Sequence, residues 1–196
     1  MARSIYELRD AILEGGRLVL PLDQLATISG VSRGSVRVYA DRLVRRGLAR
    51  RLIEGVIALT DDPFVVATQL IEPSYVSLTG AFYLNEFVEQ IPNLVECVTT
   101  RNTRGLKSLG IRYRRIHPSL FFGYERMERK GSYVFVAEPE KSLLDMIYFG
   151  RLYPSILKRI LRRADHGKIM SYGRRFEEVG GYRARRVLDW VGEHAG

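Results

Sequence analysis

GVSRGSVRVYADRLVRRGLARR, residues 30–51, holds seven arginines, one carboxylate (Asp41) and no lysine, yet its apolar residues recur at helical intervals. On a helical wheel Val36, Ala40, Leu43 and Val44 share one side, while Ser35, Val38, Arg42 and Arg45 lie opposite. The first set reads as core and the second as surface. Arg33 and Arg37 fall nearer the flank of the apolar stripe, where long side chains still reach solvent. Ser32 stands where an N-cap belongs, and Gly47, just past Arg46, ends the helix.

The flanking segments extend this pattern. Upstream, RSIYELRDAILE (3–14) sets Ile5, Leu8, Ile12 and Leu13 on one helical face and stops at Gly15-Gly16. A short extended piece, RLVLPL, follows. Asp23 reads as the N-cap of a brief helix, DQLATISG, with Leu25, Ala26 and Ile28 inward and Gly30 supplying the left-handed residue that closes it. Downstream, LARRLIEGVIALT alternates about Glu54-Gly55 as a small β-hairpin, and Asp61-Asp62-Pro63 reads as a linker. Helix, extended piece, helix, tight turn, longer helix and hairpin within residues 1–62 is the order of a winged helix-turn-helix. In that motif the first turns of the second helix enter the major groove of DNA, and their backbone N–H groups can meet phosphate. Arginine suits the position because its planar fork can donate two bonds to guanine O6 and N7, or grip a phosphate. Ser32 and Ser35 add short hydroxyls that permit close approach. From Ser32 to Arg51 seven arginines stand against one aspartate, net +6, whereas residues 1–62 carry ten basic and eight acidic side chains, net +2. The charge is concentrated on the element that would meet DNA.

SRGSVRVYADRLVRRGL, Ser32 to Leu48, is similar to the recognition-helix region of many bacterial and archaeal winged-helix repressors, with their S-R-x-[ST]-V-R opening and L-x-x-x-G ending. The resemblance implies that Arg33, Ser35 and Arg37 contact the groove and that Arg50 or Arg51, beside the hairpin, reaches phosphate or minor groove. The candidate DNA-binding set is Ser32, Arg33, Gly34, Ser35, Arg37, Val38, Arg42, Arg50 and Arg51.

At 196 residues the chain can bury one sizeable core or two small ones, and two domains, 1–62 and 63–196, are expected. With 46% apolar and 27% charged residues the composition is that of a globular chain. The net charge of +9 favours a polyanionic partner. A single cysteine, Cys97, can make no internal disulfide, so a cytoplasmic setting is expected. No apolar run reaches the length of about 18 residues that a membrane span needs, so no membrane partner is expected.

Residues 63–196 read as mixed. VSLTGAFYLNEFV (76–88) is expected as a helix; LVECVTT (94–100), LGIRYRRI (109–116) and SYVFVAE (132–138) as strands; EPEKSLLDMIYFGRL, YPSILKRILRRA and RARRVLDWVGE as closing helices. Strands followed by helices make the fold class α+β. The three histidines, His117, His166 and His194, are isolated, no phosphate-binding loop or nucleophile motif occurs, and neither metal nor cofactor is expected. Glu138, Glu140 and Asp145 in AEPEKSLLDMIYFG could be catalytic carboxylates. A simpler reading is a well-started amphipathic helix, with Pro139 at its first position, acidic residues at the positive end of its dipole, and Leu143, Leu144, Ile147 and Tyr148 at helical spacing. Basic charge continues over 101–130, nine against two, and 151–196, eleven against five. Interleaved Tyr113, Phe121, Phe122 and Tyr124 belong either to a second nucleic-acid surface or to an ordinary aromatic core.

The succession from Val98 to Gly150 resembles the C-terminal domain of AbiEi-type antitoxins of type IV abortive-infection toxin-antitoxin systems. The matching features are Thr99 and Thr100 at a strand end, the R-x-R at Arg112 and Arg114, FFGYE at 121–125, and A-E-P-E-K-x-L-L-D at 137–145. Members of that family join this domain to an N-terminal winged helix. The resemblance implies a transcriptional repressor that binds inverted repeats in its own promoter and opposes, without stable complex formation, a nucleotidyltransferase-like toxin encoded beside it. Two other readings differ in what the second half should contain. A nucleic-acid-processing enzyme that docks through the winged helix requires carboxylates converging in a cleft. A ligand-sensing regulator unrelated to toxins requires a closed apolar pocket. Oligomeric state is left open.

Overall fold

A computed structural model describes residues 4–102 and 106–194. The fold is mixed α+β with two sheets, divided between two compact units. The first unit comprises residues 1–72 and 127–134, the second 73–126 and 135–196.

The first unit runs α1 (Ile5–Glu14), β1 (Val19–Pro21), α2 (Leu22–Ser29), α3 (Arg33–Arg45), β2 (Arg50–Ile53), β3 (Val56–Ala58) and α4 (Pro63–Leu70). Ser4 and Glu7 start α1 with a capping box: Ser4 Oγ accepts from the Glu7 N–H at 3.2 Å, and Glu7 Oε2 accepts from the Ser4 N–H at 2.7 Å. The helix buries Leu8 and Ile12; Ile5 is half-buried and Leu13 exposed, because the packed stripe is narrower than the sequence periodicity suggests. The extended piece becomes an edge strand, and β1-β3-β2 forms an antiparallel sheet with Leu20 opposite Ile57 and Arg51 opposite Ile57 on its other side.

Asp23 is not the cap of α2. The helix opens two residues earlier, after Pro21, and Asp23 falls in its first turn, where the dipole favours a carboxylate. Leu25 and Ala26 face inward as expected, but Ile28 is half-buried and Ser29 takes the inner position, its hydroxyl donating to the Leu25 carbonyl at 2.7 Å. Gly30 (φ 71°) then turns the chain into α3. α3 itself ends in a Schellman arrangement, the Leu48 N–H reaching the Leu43 carbonyl at 2.9 Å across Gly47.

Asp61-Asp62-Pro63 starts a helix instead of linking domains. Asp62 Oδ1 accepts from the N–H groups of Phe64 at 3.0 Å and Val65 at 3.2 Å, and Pro63 needs no N–H in the first turn. Burial raises the Asp62 carboxyl, but bonds from Arg129, Val65 and Phe64 outweigh it and hold the pKa below the ordinary value. α4 is buried from Phe64 to Gln69, so it has no polar face and its sequence shows no helical period. Gln69 Oε1 accepts from the Leu18 and Val19 N–H groups at 2.8 and 3.2 Å, and its amide nitrogen donates to Ser132 Oγ and the Tyr133 carbonyl. Residues 127–134 therefore belong with the first 72.

The second unit contains β4 (Ser74–Val76), α5 (Leu78–Leu84), β5 (Val95–Thr99), β6 (Ile111–Arg115), β7 (Tyr124–Arg129), β8 (Ser132–Ala137), α6 (Pro139–Tyr148), α7 (Pro154–Leu161), α8 (His166–Arg174) and α9 (Gly181–His194), the tip of the β7–β8 hairpin counting with the first unit. The sheet order is β6-β5-β4-β8-β7, with β4 antiparallel to β5 and parallel to β8, and β5 parallel to β6. α6 is buried from Glu140 to Tyr148 and packs against α5, α8 and α9. The helix expected over 76–88 is shorter, since Val76 pairs in β4 and Asn85 caps the C-terminus of α5.

Candidate nucleic-acid interface

α3 sorts its residues by face. Val36, Ala40 and Leu43 are buried at 3%, 0% and 0% exposure, and Ser32, Arg33, Gly34, Ser35, Arg37, Val38 and Arg42 are all exposed. Ser32 caps the helix: its Oγ accepts from the Ser35 N–H at 3.3 Å and lies 3.1 Å from Ser35 Oγ. With Gly34 in the first turn, no large uncharged side chain stands over the open N–H groups of the helix start. Arg37 makes no ion pair or hydrogen bond through its side chain among the described residues. Arg33 Nε lies 3.2 Å from Asp23 Oδ1, but both side chains are largely exposed, so the pair contributes little and opens readily. Arg42 rests against the Tyr39 ring at 5.7 Å with its guanidinium still exposed. Val38, at 45% exposure, is an apolar side chain among cations; such a side chain can meet a thymine methyl.

The two arginines beside the hairpin are more constrained than the resemblance implies. Arg50 Nε donates to the Thr60 carbonyl at 3.1 Å, which points its stem along the sheet. The Arg51 guanidinium is paired with Asp41, the one acid on α3. That pair fastens β2 to the helix and spends part of the cation. The β2–β3 turn, Glu54-Gly55 with Gly55 at φ 73°, follows a register irregularity between Arg51 and Ile53 that twists the hairpin.

Elsewhere the candidates are occupied. Tyr113 is buried; Phe121 and Tyr124 pack on Tyr75 with centroids at 5.0 and 4.8 Å; Phe122 meets Tyr172 edge-on at 5.0 Å. The rings stack on one another. The three carboxylates of the 138–145 segment do not converge. Glu138 accepts from Tyr172 Oη at 2.5 Å and pairs with Lys168 at 3.1 Å; burial and then this bond push the Tyr172 hydroxyl up to about 12. Glu140 accepts from the Asp165 N–H at 2.9 Å. Asp145 is fully buried with Lys141, accepting from Ser77 Oγ at 2.8 Å and Tyr75 Oη at 3.1 Å. Burial drives the Lys141 pKa down against the pull of Asp145, and the same burial drives the Tyr75 hydroxyl up.

Sequence reasoning missed this buried Lys141–Asp145–Tyr75–Ser77 group. An i,i+4 Lys and Asp on a helix ordinarily signals an exposed pair. Among the described residues no group of three or more His, Cys, Asp or Glu side chains could hold a metal ion, and no helix is long and apolar enough to cross a membrane. The chain matches no protein-family model and no curated protein, so the role of α3 has to come from its own chemistry.

Proposed function

We propose that the chain is a winged-helix DNA-binding regulator that lays the first turns of α3 in the major groove, with the β2–β3 hairpin as wing. The observation that carries this reading is the outer face of α3, where Arg33, Ser35, Arg37, Val38 and Arg42 are all exposed while the opposite face is sealed into the core. Exposed arginines over a small-residue first turn suit base edges and phosphates together. Arg51, held by Asp41, fixes the wing against the helix and serves DNA binding by positioning. On the strength of the resemblance over residues 98–150, the regulator is a transcriptional repressor and the antitoxin of an AbiEi-type pair, opposing a nucleotidyltransferase-like toxin, and its action needs no catalysis.

The test is a titration of the full chain with the promoter fragment upstream of its own gene. Arg33→Ala and Arg37→Ala should each lose about 1–3 kcal/mol of specific binding if they hold a base bidentately. A smaller loss, equal on all sequences, would make them phosphate contacts; unchanged affinity would remove α3 from the interface. The antitoxin half is tested separately by co-expression with the neighbouring toxin gene, where failure to relieve growth arrest would leave a repressor only.

A further inference from the structure

The second unit holds a cavity of about 680 Å³ that the proposed role of α3 does not use. That volume lies inside the span of about 300–1,000 Å³ usual for small-molecule sites. Arg112 of β6, Arg151 before α7 and Arg159 of α7 line it, together with the carboxylates Glu89 and Glu96. Glu96 is 7% exposed and already holds Arg114 Nε at 2.9 Å, with Arg112 Nη1 at 3.8 Å. A carboxylate so occupied adds little repulsion toward an incoming anion. The side chains of Arg151 and Arg159 are exposed and make no ion pair or hydrogen bond among the described residues. Among the described lining residues Glu89, on the exposed segment 89–91, is the one acid left to offset them, so the cavity keeps a cationic excess.

An independent feature adds an apolar requirement. Among the described residues of this unit three large apolar side chains are exposed, Ile91 at 62%, Tyr153 at 43% and Tyr182 at 77%, and the first two line this same cavity. An exposed ring beside unpaired guanidinium groups suits a ligand with a flat apolar face and an anionic end. Gln90 and Asn93 bring amides that can both donate and accept, as the edge of a heterocycle requires. Arginine's fork favours phosphate over a diffuse negative charge.

We propose that this cavity binds a nucleoside phosphate, with Arg151 and Arg159 on the phosphate and Tyr153 and Ile91 covering the base. The same chemistry is presented by a free nucleotide and by the end of a single-stranded polynucleotide. This site is independent of α3, and its test does not depend on DNA recognition there.

Calorimetric titration of the full chain should use ATP, GTP, CTP and UTP, inorganic tripolyphosphate, and a short 5′-phosphorylated single strand. At least one nucleoside triphosphate should bind about tenfold more tightly than tripolyphosphate. Arg151→Ala and Arg159→Ala should each weaken it by about fivefold or more. Tyr153→Ala should weaken the nucleotide and leave tripolyphosphate unchanged. All three side chains are exposed, so the variants should melt at the wild-type temperature without ligand. If the single strand binds more tightly than the nucleotides and loses affinity in the same variants, the source is a polynucleotide end; if it does not, the source is the free nucleotide. Three results would overturn the proposal: no nucleotide binding, tripolyphosphate binding as well as every nucleotide, or nucleotide affinity indifferent to all three substitutions.

Discussion

Replacing Asp145 with Asn removes the counter-charge of a lysine that has no contact with solvent. Lys141 and Asp145 are both 0% exposed; Lys141 Nζ also donates to Tyr75 Oη at 2.9 Å and lies 5.3 Å from the centre of the Phe122 ring. Removing one member of such a pair leaves an uncompensated charge, which costs about 3–5 kcal/mol. The second unit has roughly 115 residues, so at about 4 °C per kcal/mol its transition should fall by about 12–20 °C. The pH dependence carries a sign. Burial already lowers the folded pKa of Lys141 and Asp145 opposes that; with Asn at 145 the opposition is gone and the folded pKa falls further. Between the folded value and the ordinary lysine value the unfolded chain then binds more protons, so stability rises with pH. The deficit of Asp145→Asn should therefore be largest at the acid end of that window and shrink as pH rises through it. A double variant, Lys141→Met with Asp145→Leu, removes both charges and leaves the Tyr75 and Ser77 hydroxyls without partners, at about 1–3 kcal/mol each. Scanning calorimetry should place it above the sum of the two single variants. Asp145→Asn melting within about 3 °C of wild type, or a deficit constant across pH, would refute the account of this group as a buried ion pair.

Ser32→Ala should destabilise the first unit by about 1 kcal/mol in urea titration, and Ser32→Asp should recover most of the loss. Asp41→Ala frees the Arg51 guanidinium, so non-specific affinity for duplex DNA should rise and the salt dependence should steepen by about one unit of slope, read by fluorescence anisotropy. Gln69→Leu leaves the buried N–H groups of Leu18 and Val19 unpaired and should lower the stability of the first unit by about 2–4 kcal/mol in thermal melts. Because the folded pKa of Asp62 is depressed, its contribution is complete above the ordinary carboxyl value of about 4 and is lost as pH falls through the folded value below it. Asp62→Asn should flatten that acid limb.

Residues 30–51 were legible because caps, period and charge coincide there: Ser32, Gly47 and the Val36-Ala40-Leu43 stripe each specify the same helix. Where several rules agreed less, the reading failed in a definite way. PFVVATQL is buried on every side, which erases the amphipathic period, and Asp62-Pro63 signals a helix start and a linker equally well. β4 is three residues long, too short for alternation to show. β7, YERMER, carries charge along a strand whose side chains are largely exposed or half-buried, so its apolar content is low. In α8 two glycines, Gly167 and Gly173, weaken the helical signal; at Gly173 an added Cβ would lie 3.1 Å from Val191, so close helix packing explains the second. Residue type alone gives Asp23 a capping role, while the chain turns into α2 two residues sooner. The buried Lys141 and the cavity arginines depend on which long-range neighbours they meet, and local spacing holds no trace of that.

The net charge of +9 overstates what the protein can offer a polyanion. In the second unit Arg114 is held by Glu96, Arg115 donates to Asn102 at 2.7 Å, Arg163 lies over the Phe87 ring at 4.1 Å, Arg175 over Phe122 at 4.1 Å, and Arg186 reaches the Ile147 carbonyl. These cations are tied to internal acceptors and rings, and each must surrender a contact before it can neutralise a phosphate. α3 differs in kind. Arg37 and Arg46 have no such contact among the described residues, and Arg33 has only an exposed pair to give up. Counterion release scales with phosphates neutralised, so the salt slope of binding should follow these few arginines instead of the total charge. Measured on the full chain, a slope near two to four would fit contacts confined to α3 and its hairpin, and loss of Arg37 should lower it by about one. A slope two or three times larger, insensitive to Arg37→Ala, would mean that the polyanion is gripped chiefly by the second unit, through free cations such as Arg151 and Arg159 together with tied ones that let go of their partners.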